Sequence, residues 1–243
     1  MPKPRRVRVG VPEKKRPRKK SKPEKKPEKK PEKKRRPEPD QQTLRVRQFR
    51  RQFPGALRPF SRTRRALYVG GKIVDRGKGR GFQIGTDLVE AGWAVDVLEV
   101  YRPNAESFVN YDLPDGAVPV AVISGDVCAV ESILPPVPMY DLVLWWHGPE
   151  HVERERLPSV LDSLAMRCRG VLVVGCPWGT YAQGAVKGNE HETHQCHLDV
   201  PDLESLGFKC STIGRKDRRG RNNLMGWFLV DPTAAWTHAE NEA

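Results

Sequence analysis

The chain has 243 residues, a formal net charge of +13 and 37% hydrophobic residues, room for one domain or two small ones. No apolar run approaches the ~20 residues needed to cross a bilayer, and the charged N-terminus has no apolar stretch of signal-peptide type, so neither a membrane span nor a secretory signal is expected. Charge then divides the chain in two. Residues 1–65 hold 27 Lys/Arg and 6 Asp/Glu, a net of +21, whereas residues 66–243 hold 16 and 24, a net of −8. The pI of 9.7 therefore describes the first part, and the second is acidic.

From Ser21 the sequence runs SKPEKKPEKKPEKKRRPEP, a four-residue Lys-Lys-Pro-Glu repeat. Each proline removes a backbone donor and restricts the residue before it. Almost nothing apolar is there to offset the entropy of ordering. Residues 1–40 read as a disordered Lys/Pro/Glu-rich basic tail, extended and biased to polyproline II. Such charge serves solubility, or neutralises the phosphates of a nucleic acid or another polyanion without reading its sequence. Residues 41–65 read as a linker with a short helix, capped by Asp40 and running to Phe53. Leu44, Phe49 and Phe53 fall near one face of it, which favours packing on the domain over polyanion binding.

From residue 66 to 236 the texture is that of an α/β domain, with 237–243 as a flexible C-terminus. Apolar runs predict strands at 66–69, 94–100, 118–123, 141–146 and 171–175. Helical patterns predict helices at 82–91, closed by Gly92, from Asn104, at 152–166 and at 201–206. In the third of these, Leu157, Val160, Leu161 and Leu164 are spaced i, i+3, i+4, i+7. Two late strands, 209–213 and 224–230, flank the basic loop RKDRRGRNN and suit a hairpin. Strands alternating with helices imply a parallel sheet covered on both faces, here with an antiparallel edge. Cys128, Cys168, Cys176, Cys196 and Cys210 are odd in number and without framework spacing, the expectation being reduced thiols in a cytoplasmic protein.

Four stretches carry chemistry. The strand 94–100 reads AVDVLEV and brings Glu99 to its carboxyl end, where ligands of open α/β sheets sit and an acid can accept both hydroxyls of a ribose; the plain alternative is a surface glutamate. Ser124-Gly125-Asp126-Val127 follows the next strand, and Asp126 could equally cap a helix at 128–133. Residues 140–152 read YDLVLWWHGPEHV. Residues 176–208 read CPWGTYAQGAVKGNEHETHQCHLDVPDLESLGF. Together with the order of elements, these stretches resemble the class I S-adenosylmethionine (SAM) methyltransferases. Asp141, Leu142, Val143, Glu150, His151 and Val152 fit that family's fourth-strand pattern, and Pro177, Gly179, Asn189, Glu192, His194 and His197 fit its acceptor-loop order. The likeness covers nearly all of residues 66–236 and leaves the tail untouched.

The resemblance implies a Rossmann-like methyltransferase sandwich with a mostly parallel seven-stranded sheet and an antiparallel terminal hairpin. It implies SAM as cofactor, with Glu99 on the ribose and Asp126 and Val127 reading the adenine edge. Trp145 would flank the adenine or the substrate, or be core. Val69, Gly70 and Gly71 would approach the methionine end. His147, Trp178, Tyr181 and Asn189 would face the acceptor. As bases, His194 comes first and His197 second, because an imidazole titrates near neutral pH.

The chain departs from the family at the glycine motif. In one register Leu67–Val69 is the strand and Gly70-Gly71 the bend. In the other, Ile73 and Val74 end the strand, and Asp75-Arg76-Gly77-Lys78-Gly79-Arg80-Gly81 supplies the loop, with Gly77 and Gly79 against the cofactor. The hydrophobic pattern favours the first. The charges Lys72, Arg76, Lys78 and Arg80 suit a phosphate better than a sulfonium, which keeps a nucleotide-binding oxidoreductase or transferase in view. Ahead of that stands the runner-up reading, a catalytically inactive Rossmann-like adaptor that binds nucleic acid through the tail. No metal is expected: the spacing H-x-x-H-x-C-H at 191–197 matches no standard finger, and no cysteine pair stands opposite it. The methyl acceptor is unknown, with nucleic acid or a ribosomal component favoured by the tail, and no membrane partner is expected.

Overall fold

The computed structural model describes residues 41–58, 63–75, 80–82, 84–108, 120–219 and 222–231. All lie in one contact unit, Glu38–Ala243. Among them, seven strands form a single sheet: β1 Arg65–Val69, β2 Ala94–Glu99, β3 Ala121–Ser124, β4 Tyr140–Trp146, β5 Cys168–Cys176, β6 Lys209–Gly214 and β7 Asn222–Leu229. Their order is β3-β2-β1-β4-β5-β7-β6. The first five are parallel, and β7 runs antiparallel to both β5 and β6. The mostly parallel sheet and its closing hairpin match the sequence expectation.

The register explains where a ligand can enter. Val69 pairs with Leu98 of β2 on one side and with Trp145 of β4 on the other, and Glu99 pairs with Ser124. The carboxyl ends of β1–β4 are therefore level. Strand order reverses between β1 and β4, and such a switch point opens a crevice above the sheet.

Helices α1 Gln41–Gln52, α2 Ile84–Glu90, α3 Arg102–Glu106, α4 Val130–Ile133, α5 Leu157–Ala165 and α6 Val200–Glu204 accompany the strands. On one face of the sheet, Leu157, Val160, Leu161 and Leu164 of α5 bury with Leu67, Val143 and Leu172. On the other, Phe49 and Phe53 join Ile84, Leu88 and Trp93 over Tyr68, Leu142 and Val173. Every residue of β4 is buried, as a strand covered on both faces requires.

Residues 41–58 thus contribute to the core through Phe49, Phe53 and Ala56. Their polar groups are also tied in. Gln48 Nε2 donates to the Ser211 carbonyl at 2.9 Å, Asn223 Nδ2 donates to Gln48 Oε1 at 2.6 Å, and the Trp93 indole donates to the Ala56 carbonyl at 2.6 Å.

Helix α3 starts two residues and α6 one residue earlier than expected, and α2 and α5 start later. α5 begins at Leu157 rather than 152, because Pro158 has no N–H and would clash with a preceding turn; it is accommodated only in the first turn. α2 begins at Ile84, since the Phe82 amide donates to the Thr86 hydroxyl instead of entering the helix. Asp141 sits at the end of β4 away from the crevice. It accepts both Arg169 Nε and Nη2 at 2.9 Å and the Arg65 amide at 2.9 Å, stitching β5 and β1 to β4. The Asp of YDLV therefore acts on the fold.

Candidate functional site

Above the carboxyl edge lies a cavity of about 580 Å3, within the range of small-molecule sites. Val69, Gly70, Gly71, Glu99, Asp126, Val127, Trp145, His147, Tyr181 and Asn189 line it. Trp178, His194 and His197 do not, and Gly77 and Gly79 lie outside the described residues.

β1 ends at Val69, the first of the two glycine registers. Gly70 takes φ 73°, and a Cβ there would meet nothing within 4 Å. Its left-handed conformation turns the chain out of the strand while its amide still donates to the Leu98 carbonyl at 2.8 Å, so bare backbone is presented beside the crevice. The string expected to form the second register instead places Val74–Asp75 against Arg80–Gly81 as a short antiparallel ribbon.

Glu99 is the last residue of β2 and only 4% exposed. Burial raises its pKa, against backbone hydrogen bonds from Tyr101 and Gly71. The Tyr101 amide donates to Oε1 at 2.7 Å. Asp126, on the next strand end, accepts the Cys128 amide at 2.9 Å as a cap. Its capping role is thus present while the residue also borders the cavity.

Trp145 and Trp146 are both buried at the end of β4, and both border the cavity. The Trp145 indole lies over Gly148, where an added Cβ would come within 1.7 Å of Nε1. Glycine at 148 is what lets this ring lie there. The Trp146 Nε1 is buried and has no hydrogen-bond partner among the described residues. His147 takes φ 55° and points Nδ1 to Glu150 Oε1 at 2.9 Å. Burial pushes its pKa down to about 4, with Arg45 adding to the effect, so the imidazole is neutral at neutral pH.

The loop after β5 is organised by its own polar groups. Trp178 turns its Nε1 to Asp199, the cap of α6, at 2.8 Å. Asn189 accepts the His191 amide at 3.1 Å, capping the short turn Glu190–Glu192. His197 Nδ1 accepts the Tyr181 amide at 3.3 Å. His194 donates Nδ1 to the Tyr181 carbonyl, and burial lowers its pKa. Trp178 is bonded within the loop, and neither it nor the two histidines expected as bases line the cavity. Lys72 reaches Glu192 at 3.5 Å, so this loop and the glycine bend meet in an ion pair, and the lysine is not a free phosphate ligand.

Arg45 and His151 also line the cavity, and sequence reasoning did not assign either to it. Arg45 had a signal: it lies i−4 and i−8 from Phe49 and Phe53, on the buried face of α1. His151 lies behind a turn whose direction only the structure reveals.

The fold is that of class I SAM-dependent methyltransferases. No family model and no curated protein matches the chain. Solved structures do. One is a SAM dependent methyltransferase from Archaeoglobus fulgidus, 16% identical over 77% of this chain and 94% of that one, with a TM-score of 0.50. Another is the 1,6-didemethyltoxoflavin-N1-methyltransferase of Burkholderia thailandensis, solved with 1,6-didemethyltoxoflavin and S-adenosylhomocysteine bound. It is 14% identical over 78% of this chain and 77% of that one, with a TM-score of 0.50. A third is the PH0226 protein of Pyrococcus horikoshii OT3, 11% identical over 77% of this chain and 90% of that one, also at 0.50. At these identities the likeness is one of fold.

Proposed function

We propose that the domain binds SAM and transfers its methyl group to an acceptor that enters beside the loop after β5. The observation that carries this reading is Glu99: a buried carboxylate at the carboxyl end of β2, one strand from the switch point, bordering a cavity of suitable size. The residues present suit the cofactor. Glu99 would take the ribose hydroxyls, Asp126 and Val127 the adenine edge, and the bare backbone at Gly70 the methionine end. The buried Trp146 Nε1, without a hydrogen-bond partner among the described residues, would be a further donor to it. Bound SAM supplies an activated methyl group on a sulfonium, so the chain's task is alignment and exclusion of water. The buried Trp145 and Trp146 keep the floor apolar, and the Lys72–Glu192 pair helps to close the wall.

This reading has a pH signature. Ribose hydroxyls donate to the ionised carboxylate, whereas burial favours the protonated form in the free protein. Affinity for SAM should therefore fall as pH drops from neutral through the raised Glu99 pKa. It should hold steady above. Titration calorimetry across that range should show the fall in the native chain and its absence in Glu99→Gln. A flat profile in the native chain would exclude the ribose role.

The tail is assigned to a polyanionic partner such as RNA, on its net charge of +21 over residues 1–65. Deleting residues 1–40 should weaken salt-sensitive RNA binding and leave SAM affinity intact. Equal RNA binding before and after deletion would refute this. A folded chain that binds RNA but not SAM would favour the inactive adaptor. Among the described residues no helix is long and apolar enough to cross a membrane. The five free cysteines support placement in the cytoplasm.

A further inference from the structure

We propose that Glu150, His151 and His194 form a site for a divalent first-row cation, zinc being the first candidate, beneath the acceptor end of the cavity. Their ligand atoms lie within 4.8 Å of one another, and His151 Nε2 stands 4.0 Å from Glu150 Oε1. The two imidazole rings meet edge to face, with centroids 4.9 Å apart.

Hydrogen bonding fixes what each group presents. His151 Nδ1 lies 3.1 Å from the Thr193 carbonyl, and His194 Nδ1 is bonded to the Tyr181 carbonyl. A carbonyl oxygen can only accept, so both Nδ1 atoms carry the proton. Both Nε2 atoms are left with a lone pair. This is how metal-binding histidines are commonly held, the far nitrogen donating to a carbonyl that sets tautomer and ring direction.

Glu150 is 2% exposed, and no lysine or arginine pairs with it among the described residues. Its Oε1 lies 2.9 Å from His147 Nδ1, while Oε2 is buried without a hydrogen-bond partner. Three acceptors thus converge with no donor among them. His147 Nδ1 faces one oxygen of this carboxylate, and a cation joining the group would offset the remaining cost of burying it.

The scaffold holds the two contributing segments together. Glu150 and His151 come from the turn Pro149–His151 after β4, and His194 from the loop after β5. The Gln195 and Cys196 amides both donate to the Glu150 carbonyl, at 2.8 and 3.2 Å. In a tetrahedral zinc site with bonds of about 2.0–2.1 Å, neighbouring ligand atoms are about 3.3 Å apart. The present spacings, up to 4.8 Å, would have to close by up to about 1.5 Å on binding. Two histidines and a glutamate are a zinc donor set that leaves one position open. His151 borders the cavity, so the open position would face it and accept water or an oxygen of the acceptor. That role for the open position rests on the methyl-transfer reading; metal binding itself does not.

No metal was expected from the spacing within 191–197, a string that holds one member of this group. The structure takes His194 alone from that string and finds its partners 43 and 44 positions earlier.

The test uses the full chain, freed of metal by a chelator and titrated with zinc, manganese or magnesium by calorimetry without SAM. One zinc should bind at this site. Glu150→Gln and His194→Ala should each weaken it roughly 100-fold or more. His191→Ala, in the same loop but outside the group, should leave it unchanged. Zinc should also raise the unfolding temperature of the native chain and of His191→Ala, but not of His194→Ala. Should Glu150→Gln fail to fold, the half-buried His194 decides. Failure of the folded native chain to bind any of the three cations would overturn the proposal. So would zinc binding of equal strength in both ligand variants. If zinc binds and SAM does not, the methyl-transfer reading falls and the metal site stands.

Discussion

Replacing Glu99 by alanine is expected to weaken SAM binding about 100-fold while the protein stays folded. A hydrogen bond to a charged group contributes about 1.5–3 kcal/mol, and the carboxylate would accept two hydroxyls of one ribose. Their loss, partly offset by water entering the space, comes to about 3 kcal/mol, or roughly 100-fold in affinity. Glu99→Gln keeps one acceptor and should lose about 10-fold. Glu99 also accepts the Tyr101 amide at 2.7 Å, so circular dichroism must accompany the titration. The raised pKa shows that burying this carboxylate already costs stability, so its removal need not unfold the domain. Unchanged affinity in Glu99→Ala would reject the ribose assignment.

The second large effect concerns stability. Phe49→Ala should destabilise the domain by about 3–5 kcal/mol, the usual loss for emptying a fully buried aromatic site. Phe49 is 0% exposed and Phe53 1%. Their rings lie 5.3 Å apart, and Phe53 meets the Trp227 ring edge-on at 6.2 Å. α1 is therefore part of the face that covers the sheet. Urea unfolding should show the loss as a lower midpoint with an unchanged slope. A chain beginning at residue 41 should match the full chain, whereas one beginning at 66 should unfold far more easily. An unchanged midpoint in Phe49→Ala would contradict the packing of α1.

The strands were legible because a parallel sheet buried on both faces demands unbroken apolar runs, and 141–146 and 171–175 supply them. Glu99 was legible by its place, as the acid at the carboxyl end of a strand whose other acid, Asp96, lies mid-strand. Pro158 carried the true start of α5, but its weight was lost against the stronger apolar spacing that follows. The loop after β5 was the least legible part. In a loop without period, order along the chain does not say which way a side chain turns. Trp178 was expected at the acceptor and is bonded to Asp199; His194 and His197 were expected as bases and do not line the cavity. The grouping of Glu150, His151 and His194 depends on two loops meeting above parallel strands, a contact that local patterns do not encode.

The most direct test of SAM recognition is titration of the full-length, folded chain with SAM in a calorimeter at neutral pH. Saturable binding near one equivalent, lost on replacing Glu99 by alanine, is the expected result. No heat of binding across several temperatures, from a protein whose circular dichroism reports an intact fold, would contradict the cofactor assignment and with it the proposed methyl transfer.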